Sequence, residues 1–274
     1  GEGTLVITGY SGSATAGTVS FSYTLKEAQT HTQPGNDTTL TDNIAVSVAG
    51  VGGTGANGTL NVAIVDDVPQ AVNDGTKTVT EDGQVQTVSG NVLDNDSFGA
   101  DGQSSGNAVV WTNAQAAVDA LSQYGTLTLG ADGSYSFVLN NSSAAVQALT
   151  AQSLISQSVT YTIRDADGDT SNASVVIAIR GADDGATVTT AGVNLPDTTV
   201  FEAGLLSEGD TSETNTGTFG VSATDGIATV TVGGTSFTLT QLQGFTAQSP
   251  SQEIDTGEGT LVITGYSGSA TAGT

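Results

Sequence analysis

Tandem β-sandwiches in an all-β chain are what this sequence predicts, on three observations. Apolar and hydroxyl residues alternate in short runs, the period of a strand with one face buried. Asp-Gly and glycine-rich turn signals break those runs every ten residues or so, the spacing of a sandwich rather than of strands joined by long crossovers. Residues 257–274 repeat residues 1–18 letter for letter (GEGTLVITGYSGSATAGT), so the chain is slightly more than one turn of a repeat with a period of 256 residues.

Residues 1–66 carry four strand signals, at 4–8, 19–25, 44–48 and 59–65, too few for a sandwich. A polar loop over 26–42 separates the second from the third and holds the only histidine, His31, and a Pro34-Gly35-Asn36-Asp37 turn. Asp66-Asp67-Val68-Pro69 then forces an extended exit, because the residue before proline is kept out of the helical region, and a boundary is placed there. Residues 67–184 read as one complete domain. Its strands are expected at 76–80, 85–88, 126–129, 135–139, 158–163 and 173–179, with an Asp132-Gly133 hairpin turn. Ala114, Ala117, Val118 and Leu121 fall at i, i+3, i+4 and i+7 behind Asn113, the pattern of a capped short helix, and 142–154 could add a helical turn or two. Residues 185–274 open a further domain, with strands at 217–222, 227–232, 236–239 and 260–264. Joining 185–256 onto 1–66 gives a module of about 140 residues, an ordinary domain size.

The chain carries 28 acidic and 4 basic residues, a formal charge of −24. Such a surface repels phosphate backbones and anionic lipid, so nucleic acid is not an expected partner. No apolar run approaches the roughly 20 residues of a spanning helix, and membrane insertion is not expected either. Divalent cations are the natural counterpart of this charge. With no cysteine, disulfides and thiolate metal sites are excluded. The absence of cysteine and methionine suits an oxidising exterior.

Several motifs, in order, give the chain a resemblance. Residues 68–184 resemble a VCBS repeat, from the acidic proline linker and Thr80-Glu81-Asp82-Gly83, through Gly90-Asn91-Val92-Leu93-Asp94-Asn95-Asp96 and GTLTLGADGSYSF (125–137), to Asp165-Ala166-Asp167-Gly168-Asp169. The reconstructed flanking module, with Gly-Thr-Leu-Val-Ile-Thr-Gly-Tyr, Ala28-Gln29-Thr30-His31 and Val65-Asp66-Asp67-Val68-Pro69, is similar to the repeat of very long type I secreted adhesins. The resemblance implies Ig-like and cadherin-like sandwiches in an elongated array: extender repeats of a giant RTX adhesin. It implies a calcium-dependent fibre at the bacterial cell surface, used in attachment and biofilm formation, whose partners are neighbouring repeats. It implies no enzyme. Where the adhesin repeat usually carries an Asp-Gly-Asp loop, this chain has residues 50–54 without a carboxylate, which puts calcium at that loop in doubt.

Oxygen ligands alternating along a turn, with glycine at the bend, suit Ca²⁺, which takes six to eight oxygens. Asp165, Asp167 and Asp169 fit, although the loop lacks the length and closing glutamate of an EF-hand and needs ligands from elsewhere. In a sandwich the loop joining the last two strands lies where the chain enters, which brings Asp66, Asp67 and Asp74 near. The first strand runs to the far end, where Glu81 and Asp82 approach Asp183 and Asp184, and Glu202 repeats the part of Glu81 in the next module. The competing reading is that Asp-Gly and Asp-Asp pairs only make turns and solvated linkers, and Asp94, Asn95 and Asp96 divide between turn and ligand. His31 sits in a loop with no nucleophile-elbow motif and is read as a structural hydrogen-bonder; Trp111, between Val109-Val110 and a short helix, is read as core. Two further functional classes stand beside the spacer. One is a glycan-binding module using residues 26–42 or the Trp111 region. The other is a self-assembling fibre in which residues 1–66 of one copy complete 185–274 of another, head to tail.

Overall fold

A computed structural model describes residues 3–31, 40–191 and 196–274; the Pro34-Gly35-Asn36-Asp37 turn lies outside them. The chain is all-β, with strands in several sheets and only short helices. Residues 75–180 form a two-sheet sandwich. One sheet has four strands, β5 (Gly75–Thr80), β11 (Thr170–Arg180), β10 (Leu154–Arg164) and β7 (Val109–Trp111), in that order; the other has β6 (Thr87–Asn91), β9 (Ser134–Leu139) and β8 (Gly125–Leu129).

Alternation decides which face turns inward. Tyr135, Phe137 and Leu139 of β9, Val159, Tyr161 and Ile163 of β10, and Val175, Ile177 and Ile179 of β11 are buried and share one core with Val79, Val92 and Leu121. Each such side chain contributes about 1.5–3 kcal/mol by leaving water. The hairpin β8–β9 turns at Asp132-Gly133, where Gly133 has φ 84° and the Asp132 carboxylate accepts the Ser134 N–H at 3.1 Å. That left-handed backbone conformation is open to glycine at little cost. Trp111 packs edge-on against Tyr161, ring centroids 5.8 Å apart, and donates its indole N–H to the Gly130 carbonyl at 2.8 Å, so it belongs to the core.

One local expectation needs correction. Helix α1 (Ala114–Leu121) forms, but Asn113 does not cap it with its side chain; the amide instead accepts from Thr160 N–H and donates to Ser158 C=O, both at 2.9 Å, tying the helix start to β10. The helical turn expected within 142–154 is α2 (Ala144–Gln147), capped by Ser143, and Leu154 enters β10.

The flanking residues form smaller sheets. β1 (Gly3–Gly12) pairs with β2 (Gly17–Leu25), and β3 (Thr41–Ala49) with β4 (Gly55–Ala63), as two separate two-stranded sheets joined by the Tyr23 hydroxyl, which donates to the Asp42 carboxylate at 2.7 Å. After residue 185, β12 (Ala186–Thr189), β13 (Gly220–Ala223) and β18 (Ala272–Gly273) make one sheet. β14 (Thr229–Val232) pairs with β15 (Thr235–Thr238), and β16 (Ile254–Asp255) with β17 (Thr260–Leu261). The strand expected over 260–264 is thus confined to its first two residues. Residue 239 opens a helix rather than closing a strand: α3 (Leu239–Gly244) starts on a reciprocal capping box between Thr238 and Gln241. Phe237, Leu242 and Ile254 form a second, small core there.

Candidate metal centre

The β10–β11 hairpin reverses through Asp165-Ala166-Asp167-Gly168-Asp169. Asp165 N–H donates to Asp169 C=O at 3.1 Å, and one Asp165 oxygen accepts the N–H groups of Gly168 at 3.0 Å and Asp169 at 2.7 Å. Gly168 has φ 115°, a conformation that L side chains rarely adopt, so glycine is required at the bend. The loop between β6 and β7 lies across this turn: Gln103 bridges to Asp165, and Ala166 N–H donates to Gly102 C=O at 3.0 Å. That contact delivers Asp101. From the other side the linker delivers Asp66.

Two groups of three carboxylates result, each with one oxygen per residue mutually within 4.8 Å: Asp165, Asp167 and Asp169, and Asp66, Asp101 and Asp167. Asp167 belongs to both. Asp165 is 1% and Asp66 5% exposed. Both oxygens of Asp66, both of Asp167 and the second oxygen of Asp165 are buried without a hydrogen-bond donor among the described residues. A buried carboxylate oxygen with no donor is costly, and a cation removes that cost. His31 Nε2 lies 3.9 Å from Asp66 Oδ1, both side chains buried, so the loop of the first hairpin pair reaches the same place.

Burial, reinforced by the charge of Asp167, raises the Asp66 carboxyl to about 6, with His31 opposing the shift. Burial and the Asp167 carboxyl raise Asp165 to about 6 against the pull of its two N–H donors. Asp101 is also raised, by burial and then by Asp167 and Asp67. Carboxylates packed this closely resist ionising without a counter-charge.

The other acids expected at this end are held elsewhere. Asp67 accepts the Ala100 N–H at 2.9 Å and so anchors the loop that carries Asp101. A side chain on Gly99 would meet the Asp67 carboxylate, so this anchoring needs a glycine. Asp74 turns to the Tyr161 hydroxyl at 3.1 Å, beside Asp96, which accepts the Val72 N–H at 2.7 Å. Asn95 donates to Val72 C=O at 3.0 Å, so this stretch fastens the entering chain to the sandwich.

At the opposite end, β5 runs parallel to β11 and delivers Glu81 beside residue 182. Glu81, 1% exposed, accepts the Ala182 N–H at 2.9 Å and the Gln147 amide at 3.3 Å. Burial raises its pKa despite the Ala182 N–H, and Asp184, Asp82 and Asp225 add to the shift. Asp184 is raised by burial and then by Asp82 and Asp225. Asp82 is exposed and bonded to Asn141 at 2.6 Å; Asp183 is exposed and accepts the Gly185 N–H at 3.0 Å. Glu202 is exposed in a 3-10 turn, unlike the buried Glu81. None of these joins a group of three close ligands, which among the described residues occurs only around Asp167.

Sequence reasoning missed Asp101 and Asp225. Neither sits in a recognisable ligand spacing, and only the pairing of distant loops places them.

No match to the chain was found among curated proteins. Residues 66–181 match the family model of the bacterial cadherin-like domain, so the sandwich with its Asp165–Asp169 turn and the Asp66 linker is cadherin-like and Ig-like, a repeat of the adhesion type.

Proposed function

We propose that this chain is a structural extender segment of a secreted bacterial cell-surface adhesin. In this reading calcium at the start of the cadherin-like domain locks it to the residues before it, and the array supports attachment and biofilm formation without catalysis. The observation that carries the reading is the set of buried, donor-less oxygens on Asp66, Asp165 and Asp167. An all-carboxylate donor set is the chemistry of a hard cation, and several carboxyl groups supply enough oxygens for the six to eight that Ca²⁺ takes. Asp66, Asp101, Asp165, Asp167 and Asp169 would hold the ion. Because Asp66 belongs to the linker and Asp167 to the sandwich, a shared ion fixes one to the other. The site also draws in His31, through its contact with Asp66. Domain limits at 66/67 and 184/185 fit this arrangement, with acidic residues at both junctions. The acids around Glu81 and Asp184 are proposed as a second, looser cation site, with Asp82 and Asp183 at its rim, and Glu202 as its counterpart in the following module.

Calcium titration followed by thermal unfolding and small-angle scattering tests the proposal. Added calcium should raise the melting temperature and narrow the distribution of shapes, and chelation should reverse both. A melting temperature and scattering profile indifferent to chelation would overturn it.

A further inference from the structure

Tyr161 is fully buried in the core of the sandwich, and its hydroxyl reaches the residues by which the chain enters the domain. Four oxygens surround that hydroxyl: Asp74 Oδ2 at 3.1 Å, Val72 C=O at 3.2 Å, and Val92 C=O and Asp96 Oδ1 at 3.3 Å. All four are acceptors when the carboxyls are ionised, and a phenol has one proton to give. Asp96 Oδ1 also accepts the Val72 N–H at 2.7 Å, while Asp96 Oδ2 is buried with no donor among the described residues. With both carboxylates charged, at least one of them faces the lone pairs of the phenol oxygen. Such a contact is repulsive, and burial enlarges its cost. One added proton removes it: the protonated carboxyl donates to the Tyr161 oxygen, and Tyr161 donates to the other carboxylate.

We infer that Asp74 and Asp96 hold one proton between them across the Tyr161 hydroxyl, and that this proton latches the entering chain to the sandwich. Asp74 belongs to the entering segment, Asp96 ends the 3-10 turn Val92–Asn95, and Tyr161 stands on β10, so the chain of hydrogen bonds spans all three. The same segment is held by the backbone pairing of Gln70 with Ser97 and by Asn73, whose side chain accepts the Ser174 N–H at 2.9 Å. Lys77 and Asp94 also face Asp74, and Tyr135 of β9 faces Lys77, Asp74 and Asp94; β11 meets Asp74 with the uncharged Ser174. Lys77 favours the ionised Asp74 and Asp94 the protonated one, so the two oppose each other. Burial raises both carboxyls against the pull of the Tyr161 bond, and the charge of Asp96 adds to the rise at Asp74. Groups raised in this way stabilise the fold at low pH and cease to do so as pH rises through their folded values. The latch is therefore closed in acid and loosens toward neutrality. It uses none of the carboxylates grouped around Asp167, so it acts with calcium present or absent.

Carboxyl ¹³C titration of the full chain by NMR, in saturating calcium, tests the inference, together with hydrogen exchange of the Val72 N–H. Asp74 and Asp96 should lose their protons in two coupled steps, each signal sensing both, with the later step above the ordinary carboxylate value of 3.8. Protection of the Val72 N–H, corrected for the intrinsic pH dependence of exchange, should fall by about tenfold or more between about pH 4.5 and 7. Asp74→Asn puts a permanent donor where the shared proton sits, and should leave that protection nearly constant over the same interval. Tyr161→Phe keeps the buried ring and removes the bridge, and should uncouple the two titrations. Asp74 and Asp96 titrating independently in the unaltered chain, a Val72 protection that does not fall, or an Asp74→Asn variant that keeps the unaltered chain's pH profile would each overturn it.

Discussion

Replacing Asp167 by asparagine should stabilise the metal-free protein and abolish most of its response to calcium. Asp167 is the one residue common to both carboxylate groups, so it faces Asp66, Asp101, Asp165 and Asp169 with ligand atoms within 4.8 Å. Two unit charges at that separation repel by about 3.5 kcal/mol at an effective dielectric of 20. Protonation near pH 6 and screening at the half-exposed Asp167 leave part of this, about 1–2 kcal/mol in total. For a domain of this size 1 kcal/mol moves the midpoint by roughly 4 °C, so Asp167→Asn should melt about 4–8 °C higher than the unaltered chain in chelator. Calcium at one hundred times its dissociation constant stabilises the unaltered chain by about 2.7 kcal/mol, near 10 °C on the same scale. The variant should gain less than about a third of that. Scanning calorimetry with chelator and with calcium measures both. A variant that melts lower in chelator, or that keeps the full calcium shift, refutes the argument.

Three more perturbations separate the site from the scaffold. Gly168→Ala forces a side chain into φ 115°, and should cost about 1–2 kcal/mol and weaken calcium binding about tenfold, measured by urea unfolding and calorimetric titration. Tyr161→Phe removes a hydroxyl within 3.1–3.3 Å of Val72 C=O, Val92 C=O, Asp74 and Asp96; it should cost about 1–2 kcal/mol while the calcium-induced shift stays as in the unaltered chain. Asp66 and Asp165, raised to about 6 from an ordinary 3.8, bind more protons folded than unfolded between those values. Their stabilising contribution is therefore fully present below about pH 4 and lost as pH rises through 6, and Asp74, Asp96, Asp101 and Glu81 act in the same sense. The metal-free melting temperature should fall between pH 4.5 and 7, a trend that saturating calcium reverses; a metal-free midpoint that rises over this interval would contradict the assignment.

What could be read from the residues was what the local chain dictates. The Asp132-Gly133 hairpin, the inward alternation of β9, β10 and β11 and the helix at Ala114–Leu121 follow from turn chemistry and periodicity, and the Asp165–Asp169 loop from ligand spacing. Asp101 was illegible because a bridge between Gln103 and Asp165, more than sixty positions apart, brings it in. Asp74 had the right position but was claimed by Tyr161, a competition between a hydroxyl and the cluster that sequence spacing does not encode. Helix α3 was hidden because Thr238 and Leu239 were read as the close of a strand over 236–239, whereas Thr238 opens a capping box with Gln241.

The parallel pairing of β5 with β11 has a mechanical consequence. Six residue pairs, from Gly75 with Val175 to Thr80 with Arg180, align the strand by which the chain enters the domain with the strand by which it leaves. Tension applied to the two ends of residues 67–184 pulls these strands in opposite directions along their common axis. The ladder is then loaded in shear, with its hydrogen bonds strained together instead of peeled one after another. A domain pulled this way resists until the whole patch slips, and its lifetime under load is set by the height of that unfolding barrier rather than by its equilibrium stability.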